Sequence, residues 1–234
     1  MKSLLAAFFL IPLASAATFT DVPANVWYST YVQQAADLGI VSGYKDVSGK
    51  ELGVFKPESN ITLAEALKIA VIGAGYDYTK YPKPIWEGDM KHWIEPYYRI
   101  TTTEGFGIFV GVTEDVNAKA RRFEVARIII DAFMPGTAVA VMEANYENPY
   151  QDISTQITYS DGTTGWGWNS FILKLTQDGV LSGDKDSNDN PTGYFRPDDP
   201  INRAEVVKLV MTARAKYGTP GTDRPLPPTS TSSE

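Results

Sequence analysis

Gly179-Val180-Leu181-Ser182-Gly183, followed by Phe195-Arg196-Pro197 and Ile201-Asn202-Arg203-Ala204-Glu205, decides the fold, because the same words occur earlier in the same order. The first copy reads Gly39-Ile40-Val41-Ser42-Gly43, Phe55-Lys56-Pro57 and Ile61-Thr62-Leu63-Ala64-Glu65. An acid and an aromatic precede each set: Asp21 and Trp27 in the first copy, Asp152 and Trp168 in the last. A worn copy lies between them, with Asp89-Met90, Trp93, Tyr97-Tyr98, Gly107, Gly111 and Ala120-Arg121-Arg122-Phe123-Glu124. Periods of tens of residues mark units that cannot bury an apolar face alone and must share a core with their neighbours.

Each copy reads as helix, loop, helix. Tyr31, Val32, Ala35 and Leu38 fall at helical spacing, and Gly39 is placed to end that helix in a left-handed turn. A polar loop over 42–58 leads to a second helix from about Thr62, where Thr62 and Glu65 form a capping-box pattern. Asn202 and Glu205 repeat that pattern more weakly. The last copy predicts helices over 171–177 and 202–216, and the middle copy predicts one over 123–133. Residues 139–144 suit a short helix, and the insertion between Asp152 and Trp168 suits a surface loop or short hairpin. The boundaries that follow are 17–80, 81–148 and 149–217, with a disordered Pro/Thr/Ser tail over 218–234 in which no core can form.

Residues 1–16 read as a secretory leader: Lys2, an apolar run over 4–13 and a small-residue site at Ala14-Ser15-Ala16. The apolar run falls short of the roughly 20 residues needed to span a bilayer, and no later segment suits a transmembrane helix. Cysteine is absent, so the core must be large enough to hold without disulfides. The net charge of −7 argues against nucleic acid as a partner. Any anionic ligand must therefore be met by local arginines.

This order of words resembles the S-layer homology (SLH) domain, a cell-envelope module that usually comes as three motifs in a row. The resemblance covers about residues 19–217, and Ile201-Asn202-Arg203-Ala204-Glu205 resembles the family's Ile-Thr-Arg-x-Glu signature. It implies a mostly α fold: three helix-loop-helix repeats packed with pseudo-threefold symmetry and long surface loops. It also implies a secreted protein at the cell wall or S-layer, anchored non-covalently through a secondary cell-wall polysaccharide. That glycan, or a peptidoglycan-linked one, is the implied partner, with other envelope proteins as further partners. Such glycans often carry pyruvate ketals, which are carboxylates on a sugar.

By that resemblance the candidate glycan ligands are the signature arginines Arg203 and Arg122, the early acids Asp21, Asp89 and Asp152, the aromatics Trp27, Trp93 and Trp168, and the loop glycines Gly43, Gly111 and Gly183. An arginine fork pairs bidentately with a carboxylate, and a helix start adds dipole and free N–H groups. The same residues have structural readings. The tryptophans suit the core, the aspartates suit a cap or turn, the glycines suit tight backbone geometry, and Glu65, Glu124 and Glu205 suit caps. The first copy has Leu63 where the arginine belongs and the second has Arg121 where the cap belongs, so one or two working grooves are expected. The single histidine, His92, has no nucleophile motif beside it, and no cofactor, metal or catalytic constellation is expected. Asp184, Asp186, Asn188 and Asn190 alternate as calcium ligands do, but Asp189 and Phe195 stand where an EF-hand needs glycine and an acid. Two alternatives to a glycan anchor stay open: assembly of envelope proteins through the repeats, and a wall-degrading enzyme with an unmarked carboxylate pair.

Overall fold

A computed structural model describes residues 19–81, 92–107, 115–136, 147–154, 157–158, 162, 164–165 and 169–223. The leader, Asp89, Gly111, Trp168 and the suggested helix over 139–144 lie outside the described residues. The chain is mostly helical. The elements are α1 (Ser29–Asp37), α2 (Leu63–Gly73), a 3-10 turn (Tyr78–Lys80), α3 (Glu95–Glu104), α4 (Arg122–Phe133), α5 (Asn169–Gln177) and α6 (Arg203–Tyr217). A two-residue hairpin pairs β1 (Ile157–Thr158) with β2 (Thr164–Gly165) antiparallel, inside the expected insertion.

Helices α2, α4 and α6 pack on one another in all three pairings. Each earlier helix then covers the neighbouring unit: α1 packs on α6, α3 on α2 and α5 on α4. The core is continuous and aliphatic-rich, with Leu67, Ile128, Ile129, Ile172 and Leu175 fully buried. The first helix ends as read, with Gly39 at φ of +69°, and Gly105 and Gly179 repeat that geometry at +71° and +72°. That left-handed geometry costs a residue with a Cβ but not glycine.

A ring of backbone hydrogen bonds joins the three helix starts. Ile61 N–H donates to Ile201 O at 3.2 Å, Ile201 N–H to Ala120 O at 3.0 Å, and Ala120 N–H to Ile61 O at 2.9 Å. The first two amides of each helix also point into a neighbouring loop. Leu63 and Ala64 donate to Ala118 and Val116, Arg122 and Phe123 to Asp199 and Pro197, and Arg203 and Ala204 to Ser59 and Pro57. The third amide goes to the cap: Thr62 accepts from Glu65 N–H and Asn202 from Glu205 N–H, while each glutamate accepts from the cap's own N–H. Arg121 keeps only half of this arrangement. Glu124 accepts its N–H at 2.7 Å, but its side chain cannot return the bond and pairs with Glu124 instead.

The loop between the helices is held by the early acid. Asp21 accepts Phe55 N–H and Lys56 N–H at 2.8 and 2.7 Å, and Asp152 accepts Phe195 N–H and Arg196 N–H at 2.9 and 2.6 Å. Lys56 and Arg196 sit at φ of 57° and 56°, unfavourable for side chains of their size, so the carboxylate offsets a strained turn. Asp46 and Asp186 each turn a further hairpin by accepting two backbone amides. The tail is ordered further than its composition suggests. Gly221 N–H donates to Ala74 O at 2.9 Å, and Thr219, Gly221 and Thr222 lie against Gly75 and Tyr76 just past the end of α2. Residues 224–234 lie outside the described residues.

Gly73 lets α2 and α6 approach, since a Cβ there would collide with Val210 Cγ1. Overpacking costs about 1–3 kcal/mol, which outweighs the roughly 1 kcal/mol that alanine gains over glycine in a helix. Gly73→Ala is therefore destabilising in urea unfolding, and Val210→Ala in the same chain recovers part of the loss. Asp21→Ala strands two amides of the strained turn and lowers stability by about 2 kcal/mol by the same measurement.

Candidate functional site

Two grooves open where three units meet. The first is lined by Arg203, by the loop over 40–45, by Glu65 and Lys68 of α2, and by Trp93. The second is lined by Arg122, by the loop over 179–185, by Glu205 and Lys208 of α6, and by Trp27. The correspondence is position for position. Each groove takes its arginine from one unit, its loop and second helix from another, and its tryptophan from the third. Their volumes, about 610 and 430 Å³, are in the range that holds small ligands such as sugars.

The arginines are more enclosed than a free anion fork would be. Arg203's side chain is 10% exposed; its guanidinium bonds Glu65 at 3.3 Å and Ser42 O at 3.2 Å, and lies over Tyr44 and Phe55. Arg122's side chain is 11% exposed. It donates to Phe195 O at 2.7 Å, lies over the Phe195 ring, and pairs with Glu205 at 3.5 Å and Asp184 at 3.8 Å. A helix-start arginine opposes the macrodipole and calls for an anion, and here a neighbouring unit's carboxylate already supplies one.

The helix starts themselves offer nothing to a ligand, contrary to expectation. Their first three amides are consumed by neighbouring loops and by the caps, apart from the weaker arrangement at Arg121. The early acids are likewise committed, because both oxygens of Asp21 and of Asp152 hold the strained loop turn. Gly43 and Gly183 line the grooves, and their packing explains the lack of a side chain. A Cβ on Gly43 would stand 3.0 Å from Val54 O, and one on Gly183 2.5 Å from Tyr150 Cε1.

The tryptophans go the other way. Trp27 is 55% exposed and Trp93 49%, so neither is a core residue. Each carries a lysine over its ring: Lys208 Nζ lies 5.5 Å from Trp27 and Lys68 Nζ 5.9 Å from Trp93. Such a half-open indole can stack on the apolar face of a sugar while its N–H donates outward. Lys68 and Lys208 were absent from the sequence-derived candidates. The available signal was positional, as both stand three residues after the signature glutamate. Burial, then the neighbouring Arg203 and Lys45 charges, depress Lys68 below the ordinary lysine value, with Glu65 partly offsetting them.

A third groove would use Leu63, which is buried and carries no charge. Arg127, at the lysine position of the middle unit, pairs with Asp131 at 2.8 Å and lies over Phe171. His92 is structural, with Nδ1 accepting Ile94 N–H and Nε2 meeting Asn117 at 3.0 Å. In the calcium-like stretch Asp184 is engaged by Arg122 and Arg196, and Lys185 pairs with Asp189. Among the described residues no cluster of three or more acids, histidines or cysteines is arranged for a metal ion. No described helix is long and apolar enough to cross a membrane.

The sequence profile of the S-layer homology domain matches residues 18–67 and 158–207. Two matched segments replace the three expected, and the profile leaves the middle unit unmatched. The chain is 23% identical over 222 residues to "S-layer protein sap" of Bacillus anthracis, covering 94% of this chain and 24% of that one. It is 30% identical over 177 residues to "Cell surface glycoprotein 1" of Acetivibrio thermocellus, 73% of this chain and 7% of that one. It is also 26% identical over 204 residues to an "Uncharacterized cell wall amidase" of Bacillus anthracis, 87% of this chain and 33% of that one. The chain thus spans about a quarter of the length of the S-layer relatives it matches. With the domain matched on either side of the middle unit and these relatives beside it, the chain carries two S-layer homology segments and has a cell-surface, S-layer location.

Proposed function

We propose that the chain is a non-catalytic anchor that binds an anionic secondary cell-wall polysaccharide, pyruvylated sugar included, in the grooves between its units. On this reading the middle unit is a third, divergent S-layer homology motif, and the three units surround a pseudo-threefold axis. The cyclic exchange of amides and carbonyls between Ile61, Ala120 and Ile201 supports that arrangement. One observation carries the functional reading: an arginine, a lysine and a half-exposed tryptophan, drawn from three different units, converge on one groove, and do so twice. The Arg203 groove takes the anionic group and Trp93 takes the sugar face. Trp27 offers a second platform beside Arg122. Asp21, Asp152, Gly43 and Gly183 act through loop geometry.

The alternative is assembly of envelope proteins through the repeats, with decayed glycan sites; the loss of the arginine at Leu63 favours it. The two part company in co-sedimentation of the protein with purified cell walls, before and after acid removal of the polysaccharide. Wall binding that depends on the polysaccharide and falls at least tenfold in Arg203→Leu and in Trp93→Ala is the expected result. Leucine is chosen because the corresponding first-unit position already holds Leu63, so the fold tolerates it. Binding unchanged in both variants would leave assembly as the function. Release of soluble sugar or peptide from the walls would instead reveal an enzyme.

Lys68 supplies a pH test. Its ammonium supports an anion only while protonated, and its depressed pKa brings deprotonation in below the range of ordinary lysines. Wall binding is therefore expected to weaken as pH rises through that lowered value. Lys68→Arg, which keeps its charge, should remove this alkaline loss.

A further inference from the structure

Among the corresponding residues that line both grooves, charge differs at one position, Tyr44 in the first and Asp184 in the second. In the Arg203 groove Tyr44 sits between two cations, with Lys56 Nζ 4.4 Å and the Arg203 guanidinium 5.1 Å from its ring centre. In the Arg122 groove the position of Tyr44 is Asp184 and that of Lys56 is Arg196. Asp184 pairs with Arg196 through Oδ2 and faces Arg122 at 3.8 Å through Oδ1. The Tyr-Lys pair and the Asp-Arg pair are thus alternative ways of closing the same corner. Only the second places a carboxylate in the groove.

The charge lining the grooves differs accordingly. Arg203, Lys45 and Lys68 face one carboxylate, Glu65, whereas Arg122, Lys185 and Lys208 face two, Asp184 and Glu205. An incoming carboxylate at Arg122 must approach Asp184, a like charge in a partly desolvated corner. An uncharged sugar meets no such penalty, because its hydroxyls can donate to Asp184 and Glu205 while a ring face rests on Trp27. The Arg203 groove lacks the competing acid, since Tyr44 stands at that corner.

We propose that Asp184 is a specificity-determining residue that makes the Arg122 groove select uncharged sugar and leaves the carboxylated sugar to the Arg203 groove. This rests on the glycan-binding reading above. A single chain then grips one polysaccharide at two chemically different residues.

The indole N–H resonances of Trp93 and Trp27, assigned with Trp→Phe variants, report the two grooves separately. The full chain is titrated with a methyl glycoside bearing a pyruvate ketal and with the same glycoside lacking it. In the unsubstituted protein the ketal should move Trp93, and the uncharged glycoside should move Trp27 at concentrations where the ketal does not. Asp184→Asn keeps the shape of the corner, and Asp184→Tyr with Arg196→Lys copies the first-unit pair. Both should give the ketal at least a tenfold gain at Trp27, with Trp93 unaffected. Thermal unfolding of each variant confirms that the corner has not collapsed. A ketal that moves Trp27 as readily as Trp93 in the unsubstituted protein overturns the proposal. So does a ketal that moves Trp93 but gains nothing at Trp27 in either folded variant, which leaves the anchor reading standing. Neither indole moving with either sugar overturns both.

Discussion

A helix start exposes amides that must find partners, and at α2, α4 and α6 the first two of them find it in another unit. The ring through Ile61, Ala120 and Ile201, with the flanking bonds from Leu63, Arg122 and Arg203, satisfies backbone that would otherwise lie unpaired in the interior. The rest of the architecture follows from that constraint. Because the helix starts converge, α2, α4 and α6 must pack together, and the loops that accept their amides are drawn into the clefts between them. The grooves are the outer walls of those clefts. Their arginines lie where they do because they occupy the first helical position, pointing across into the next unit.

This arrangement separates two roles that residue types alone confound. Asp21 and Trp27 both precede α1, and both fit a ligand site by chemistry. The carboxylate turns inward to quench two amides of a strained turn, while the indole stays half in water under a lysine. The arginines stand between these extremes, anchored by a neighbour's glutamate yet lining the groove. An anion bound there would share an existing ion pair rather than meet a free charge, and the lysine at the groove wall supplies the surplus.

Much of the fold was legible in the sequence because it rests on local signals repeated in order. The apolar spacing of Val32 and Ala35, the box formed by Thr62 and Glu65, and the turn at Gly39 each have a short-range cause, and each appears as read. The sites were legible only as a set of positions. Whether Trp93 faced water or Asp152 faced a ligand depends on contacts between units remote in sequence, such as Arg203 with Glu65 across 138 residues. The supposed free amides of the helix starts failed for the same reason. At the start of the tail the carbonyl of Ala74 gives Gly221 a partner that no Pro/Thr/Ser bias could disclose.

The closed ring also sets an order of events. A chain made from its N-terminus produces α1 and α2 first, but α1 packs on α6, and Ile61 donates to Ile201. Helix α1 therefore lacks its packing partner until α6 has been made. Contacts of such long separation are slow to form, because the loop entropy is lost before they contribute. The topology that stiffens the finished domain thus delays its own completion until the last helix emerges.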